Sequence, residues 1–188
     1  NGTGGRSYEQ LLYAMLVNSE ERATEILLEA LRQSHMNLPE TLAGWGAGSI
    51  DLQNRRATPA ELVLLAEKLY FGELLAPEST KLLLDLLASY TPNDELRLGA
   101  LRRVLPEGAQ IYNKRGTLTE ERLIVADLAI VTLPAGRGND SVSDGYVAAV
   151  FAYQSDGYQD VPPTTYERLD AAVSEVAFAF GDYLEALS

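Results

Sequence analysis

Two side-chain types that often carry chemistry are absent or scarce in this sequence of 188 residues, which restricts what its chemistry can be. The chain has no cysteine, which excludes thiolate nucleophiles, disulfides and cysteine-based zinc sites. Its one histidine, His35, makes a multi-histidine metal site or a Ser-His-Asp triad hard to build. Two short polar segments, residues 19–21 and 114–117, combine hydroxyl, carboxylate and ammonium groups, which can transfer protons or bind anions.

Both segments also have a purely structural interpretation. Ser19 is a good helix N-cap, and Glu20 and Glu21 are favoured at the positive end of a helix dipole. Lys114 and Arg115 fit an exposed basic pair at the end of a strand. The two interpretations are compatible at Ser19, because a cap fixes the position of its hydroxyl.

Charge and hydropathy argue against several classes of partner. Fifteen basic and 27 acidic residues give a formal net charge of −12, which argues against nucleic-acid binding and adhesion to anionic lipid. No apolar run approaches the length of a membrane span. Residues 1–6 have no signal-peptide pattern, and we expect them to be a linker or a cut end. The hydrophobic fraction of 46% predicts a globular domain.

The first half of the sequence has helical periodicity. Apolar residues at helical spacing run from Tyr8 to Arg32, with Asn18 and Ser19 between two apolar sets. Both are N-cap types, so one helix could end there and a second begin, although an uninterrupted helix fits the pattern equally well.

Start and stop signals predict three further helices. Thr58, Pro59 and Glu61 form the pattern of a capping box with proline at the first position, which predicts a helix to about Phe71. Pro77 opens the next predicted helix, which runs to about Tyr90. Residues 91–94 carry another start signal, for a short helix ending before Pro106.

The second half predicts a short antiparallel sheet and a final helix. Residues 109–114, 121–133 and 145–153 form strand-like runs, of which the last two are almost continuously apolar. Thr164 and Glu167 predict the capping box of a last helix, whose apolar stripe should cover one face of the sheet. We therefore predict an α+β fold with a linker at 1–6, a helical lobe at 7–105, and the sheet with its helix at 106–188.

Three stretches, taken in this order, resemble the penicillin-recognising serine hydrolases, especially the class A β-lactamase branch. Residues 8–24, which contain Ser19-Glu20-Glu21, resemble the helix–loop–helix that holds the family's Ser-Asp-Asn motif. Thr58-Pro59 resembles the family's Thr-Pro helix start, and residues 111–117 resemble its Lys-Thr-Gly strand. The resemblance covers nearly the whole chain and implies a β-lactamase-like fold, present in part.

The sequence departs from the family at its nucleophile. The family's serine stands in Ser-x-x-Lys, whereas the three lysines here are preceded three positions earlier by Leu65, Glu78 and Ile111. We therefore expect a C-terminal portion of the fold that is inactive alone. The family's Ser-Asp-Asn is Ser19-Glu20-Glu21 here, and its Lys-Thr-Gly is Lys114-Arg115-Gly116.

The resemblance implies acyl-serine chemistry on a β-lactam or a peptidoglycan-like amide, without a metal or an organic cofactor, in an extracytoplasmic protein. It implies catalytic roles for Ser19, as a proton relay, and for Lys114, as a nearby positive charge. The backbone N–H of Thr117 would hold the oxyanion, and Gly116 would let a substrate approach the backbone. Glu21 and Arg115 occupy the remaining substrate-binding positions.

Two other function classes stay open. A degenerate relative could hold a peptide, a small molecule or a protein partner without turnover. Alternatively, the sheet edge could pair with another copy of the chain or with a missing N-terminal segment, because an unpaired apolar edge favours association. For the enzyme class, we expect Ser19 and Lys114 to face each other across one cleft.

Overall fold

The computed structural model describes residues 5–89, 96–119, 123–134, 145–154 and 163–185. The chain divides into two compact units, Asn1–Ser89 and Tyr90–Ser188. The described part of the first unit is helical, and the second combines helices with a three-stranded antiparallel sheet. The predicted α+β class is confirmed.

The first unit contains five α-helices among its described residues. They are α1 (Tyr8–Leu16), α2 (Glu21–Gln33), α3 (Leu38–Gly44), α4 (Pro59–Tyr70) and α5 (Pro77–Ala88). The starts of α4 and α5 agree with the proline signals in the sequence. In α4, Thr58 and Glu61 form the predicted capping box, in which each side chain is bonded to the backbone of the other.

The chain breaks between α1 and α2, so the uninterrupted helix is wrong. The prediction of Ser19 as an N-cap is also wrong, because α2 is capped at Glu20. Ser19 has φ 53°, in the left-handed region, whereas an N-cap residue needs an extended backbone. The N–H of Glu20 donates to the carbonyl of Ala14 at 2.9 Å, and the carboxylate of Glu20 pairs with Arg6 at 2.7 Å. Both contacts fix the turn that holds Ser19.

The second unit is built on one sheet. Its strands are β1 (Gln110–Leu118), β2 (Ile124–Thr132) and β3 (Gly145–Tyr153), antiparallel in the order β1-β2-β3. A 3₁₀ helix (Arg97–Arg103) precedes β1, and α6 (Pro163–Glu185) follows β3. The start signal at 91–94 and most of the connection at 136–145 lie outside the described residues.

One face of the sheet packs against the 3₁₀ helix and α6, as the apolar stripe of the last helix predicts. The core between them consists of Leu98, Leu101, Ile111, Ala129, Val131 and Ala177. Thr164 is not the cap of α6, because the helix already begins at Pro163 and proline favours the first helical position. A Cβ added to Gly181 would lie 2.9 Å from Val104, so α6 approaches the end of the 3₁₀ helix closely.

Candidate functional site

The predicted site residues lie in both units. Ser19 lies in the turn between α1 and α2, and Glu21 is the first residue of α2 and is exposed. The other four residues are consecutive on β1 and form what we call the Lys114–Thr117 segment. The predicted cleft between Ser19 and Lys114 stays a prediction.

The Lys114–Thr117 segment belongs to an edge strand of the described sheet, in which β1 pairs only with β2. Side chains of a strand alternate between the two faces of its sheet. Arg115 is paired with Asp127, and both side chains lie on the face of the sheet that is covered by α6 and the 3₁₀ helix. The side chain of Lys114 therefore lies on the opposite face. Gly116 and Thr117 are exposed. The accessible surface of this edge therefore lies mainly at Gly116 and Thr117, because Lys114 and Arg115 are half-buried.

Gly116 has open space beside it. A Cβ added at this position would have no described atom within 4 Å beyond its chain neighbours, and the φ of Gly116 is not in the left-handed region. Neither packing among the described residues nor backbone geometry therefore requires glycine here. By contrast, a Cβ on Gly145 would lie 2.6 Å from the carbonyl oxygen of Val131, so packing does require that glycine.

Arg97 lies behind the Lys114–Thr117 segment and is only 1% exposed. Its Nη1 donates hydrogen bonds to the carbonyl oxygens of Gly116 at 2.6 Å and Ala126 at 2.8 Å. Its Nη2 donates to the hydroxyl oxygen of Thr117 at 3.0 Å. One guanidinium thus joins β1 and β2 beneath the exposed residues Gly116 and Thr117.

The same guanidinium is held from the other side by α6. Its Nε donates to Asp170 Oδ1 at 2.5 Å, forming an ion pair in which both side chains are buried. Its Nη2 also donates to the hydroxyl oxygen of Tyr166 at 3.2 Å. The backbone N–H of Arg97 donates to Ser174 Oγ at 2.8 Å. Arg97 has φ 55°, an uncommon backbone conformation for a non-glycine residue, which these contacts support.

Asp127 is a second buried charge in this unit. Its Oδ2 accepts a hydrogen bond from the N–H of Leu98 at 3.0 Å, and its Oδ1 accepts one from Asn113 Nδ2 at 3.4 Å. Burial raises the pKa of Asp127 to about 6, although these hydrogen bonds and the charges of Arg97 and Arg115 act in the opposite direction. Arg115 therefore acts on a core carboxylate, besides its predicted role in substrate binding.

Sequence reasoning missed Arg97, Asp127 and Asp170. Asp127 had a signal, because it is the one charged residue in the apolar strand β2. Arg97 and Asp170 lie 73 positions apart and had none. Among the residues that the structure describes, no group of three or more His, Asp or Glu side chains could hold a metal ion. None of the described helices is long and apolar enough to cross a membrane.

Most of the chain matches a known family. The model of the β-lactamase enzyme family matches residues 4–180, and the chain belongs to that family. The predicted resemblance to penicillin-recognising serine hydrolases is confirmed at the level of the family. Comparison with curated protein sequences gives no match.

Solved structures show the same fold. A mutant of PBP-A, solved as an acyl-enzyme complex with penicillin G, is 26% identical to this chain, with a TM-score of 0.66 over 94% of this chain and 62% of that one. A β-lactamase from Burkholderia vietnamiensis is 23% identical, with a TM-score of 0.70, and the match covers 96% of this chain and 64% of that one. A class A β-lactamase from Mycobacterium abscessus is 21% identical, with a TM-score of 0.66, and the match covers 95% of this chain and 67% of that one. The chain thus spans less than two thirds of the length of PBP-A.

Proposed function

We propose that this chain is part of a β-lactamase-like serine hydrolase and that its Lys114–Thr117 segment binds a β-lactam or a peptidoglycan-like amide. The observation that carries the proposal is the open space beside Gly116. This glycine stands at an exposed sheet edge where the described structure does not require it, and a ligand could approach the backbone closely there. Membership of the β-lactamase enzyme family supports the chemistry and an extracytoplasmic location.

The proposed reaction is acyl transfer to a serine. The serine oxygen forms a bond to the amide carbon, the carbon–nitrogen bond breaks, and the serine proton passes through a base to the leaving nitrogen. The N–H of Thr117 would hold the negative oxygen formed on the way, and the charge of Lys114 would favour that proton transfer. Ser19 would relay the proton, and Glu21 and Arg115 would contact other parts of the substrate.

The chain alone should bind without turning over, because its sequence contains no Ser-x-x-Lys. A fluorescent penicillin tests this, since it labels a competent serine covalently. We expect no covalent label on the 188-residue chain, together with reversible binding of penicillin G that shifts the amide resonances of Gly116 and Thr117 in an NMR titration. Covalent labelling would show that the nucleophile is present after all.

A matched pair of lysine variants makes the test specific. Lys114→Ala should weaken penicillin G binding by about tenfold or more, because it removes the ammonium group that the segment itself offers to a ligand. Lys81→Ala removes the same charge from the exposed surface of α5 and should change the affinity by less than about twofold. If penicillin G causes no shift at Gly116 or Thr117, the ligand-binding role is wrong.

The non-catalytic alternative has one observation in its favour. In the described sheet, β3 is the other edge strand, and its seven central residues are apolar and only partly buried. Such an edge favours pairing with another strand. Light scattering after size exclusion tests assembly through β3. Such assembly requires a dimer or a larger species, so a monomer at high concentration would reject it.

A further inference from the structure

We propose that Arg97 is a positioning residue for the Lys114–Thr117 segment. Its guanidinium fixes the carbonyl of Gly116 and the hydroxyl of Thr117 from inside the protein, and it does not contact the ligand itself. This inference rests on the proposed function, in which that segment binds the ligand.

The hydrogen bonds of Arg97 leave it no group with which to bind a ligand. A guanidinium has five N–H donors. The structure gives this one five acceptors, on Gly116, Thr117, Ala126, Tyr166 and Asp170. The side chain is also only 1% exposed. Any effect of Arg97 on a ligand must therefore pass through the groups that it holds.

Two of those groups belong to Gly116 and Thr117, the exposed end of the Lys114–Thr117 segment. Nη1 fixes the Gly116 carbonyl, which shares a peptide plane with the N–H of Thr117 and so sets the direction of that donor. Nη2 donates to Thr117 Oγ1, so the hydroxyl proton of Thr117 must point away from Arg97. Both N–H and O–H of Thr117 are thereby oriented before a ligand arrives, which reduces the cost of binding.

A double variant can distinguish a positioning role of Arg97 from a purely stabilising one. Replacing both partners of a buried ion pair by apolar residues of similar volume is often neutral or stabilising. The double variant Arg97→Met/Asp170→Leu should therefore fold, and it removes every guanidinium contact to Gly116 and Thr117. If Arg97 positions the segment, this variant separates stability from ligand binding.

The experiment compares three properties of the double variant and the wild-type chain: thermal stability, the carbonyl ¹³C and amide resonances of Gly116 and Thr117, and penicillin G affinity. We expect a folded protein whose Gly116 and Thr117 resonances move without ligand and whose affinity for penicillin G falls by about tenfold or more. Resonances that coincide with those of the wild type in a folded variant would overturn the proposal.

The control is Val173→Ala, which removes buried side-chain volume from α6 but no hydrogen bond, because a valine side chain has no polar group. It should lower the melting temperature but change the affinity by less than about twofold. If the double variant does not fold, the same three properties are measured on Arg97→Lys, because lysine keeps the charge but not the five N–H donors of the guanidinium. If the wild-type chain does not bind penicillin G, the proposed function is wrong. The ligand-free resonances of Gly116 and Thr117 in the variant and the wild type still decide whether Arg97 positions the segment.

Discussion

Asp127 Oδ2 accepts a hydrogen bond from the backbone N–H of Leu98 at 3.0 Å, which ties the middle of β2 to the 3₁₀ helix. Asp127 is 1% exposed and lies opposite Arg115 on the neighbouring strand, on the covered face of the sheet. Burial raises its pKa from 3.8 to about 6, so ionising it in the folded state costs free energy.

The pH dependence of stability should reveal this carboxyl group. Its pKa is higher in the folded state, so its contribution to stability is fully present below pH 3.8 and is lost as the pH rises through about 6. Asp127→Asn cannot ionise, so the variant should gain stability relative to the wild type across that window, by roughly 3 kcal/mol. Urea unfolding of both proteins at about pH 4 and about pH 8 measures the change. Asp182→Asn on the exposed surface of α6 controls for the lost charge, and a difference that does not vary with pH would contradict the prediction.

The capping box of α4 predicts a pH dependence of the opposite sign in the first unit. Hydrogen bonds from Ser49 and Thr58 lower the pKa of Glu61 from 4.5 to about 2. Its contribution to stability is therefore present above pH 4.5 and is lost as the pH falls through about 2. Glu61→Gln should melt below the wild type at neutral pH and approach it in acid, whereas Glu67→Gln on the same helix should melt like the wild type at neutral pH. Equal melting temperatures of Glu61→Gln and the wild type at neutral pH would refute this.

Gly116→Ala should separate folding from ligand binding at the sheet edge. The added methyl group meets no described atom within 4 Å, and alanine restricts the unfolded chain more than glycine does. Stability should therefore be unchanged or rise by up to about 1 kcal/mol, while penicillin G binding weakens by about tenfold or more. Gly145→Ala is the contrasting variant, because its Cβ would clash with the Val131 carbonyl and lower stability. Unchanged affinity in Gly116→Ala would remove the observation on which the proposed function depends.

The core of the second unit depends on a leucine of the 3₁₀ helix. Leu101 is 1% exposed and packs between the sheet and α6, whereas Leu96 is 40% exposed. Leu101→Ala should lower the free energy of unfolding by about 2–5 kcal/mol, through lost burial and a cavity. Leu96→Ala deletes the same atoms and should cost about 0.5 kcal/mol or less. Similar losses in denaturant titrations of the two variants would show that the 3₁₀ helix is not part of the core.

The elements that could be predicted from the sequence are those with local signals. The capping box of Thr58 and Glu61 needs only residues three positions apart, and the start of α5 is marked by Pro77 itself. The apolar runs predicted β2 and β3, because strands covered by other elements lack polar alternation. Local signals also misled at Ser19. Its type is favoured in a cap, but it lies one residue before the cap and has a left-handed backbone conformation.

The support of the candidate site could not be predicted in this way. Arg97 reaches β1, β2 and α6 through contacts that span up to 77 positions of the sequence. No local pattern encodes such contacts, because they depend on how the 3₁₀ helix and α6 pack on the sheet. The family resemblance indicated the Lys114–Thr117 segment but not the buried arginine behind it.

The pairing of Arg115 with Asp127 has a consequence for how β1 can vary. If β1 slipped by one residue along β2, every side chain of the strand would turn to the other face. Lys114 would then turn to the face of the buried carboxylate, and Ile111 would leave the core. A single inserted or deleted residue within β1 would thus damage the core and the ligand edge in one step, whereas point substitutions can alter either one separately.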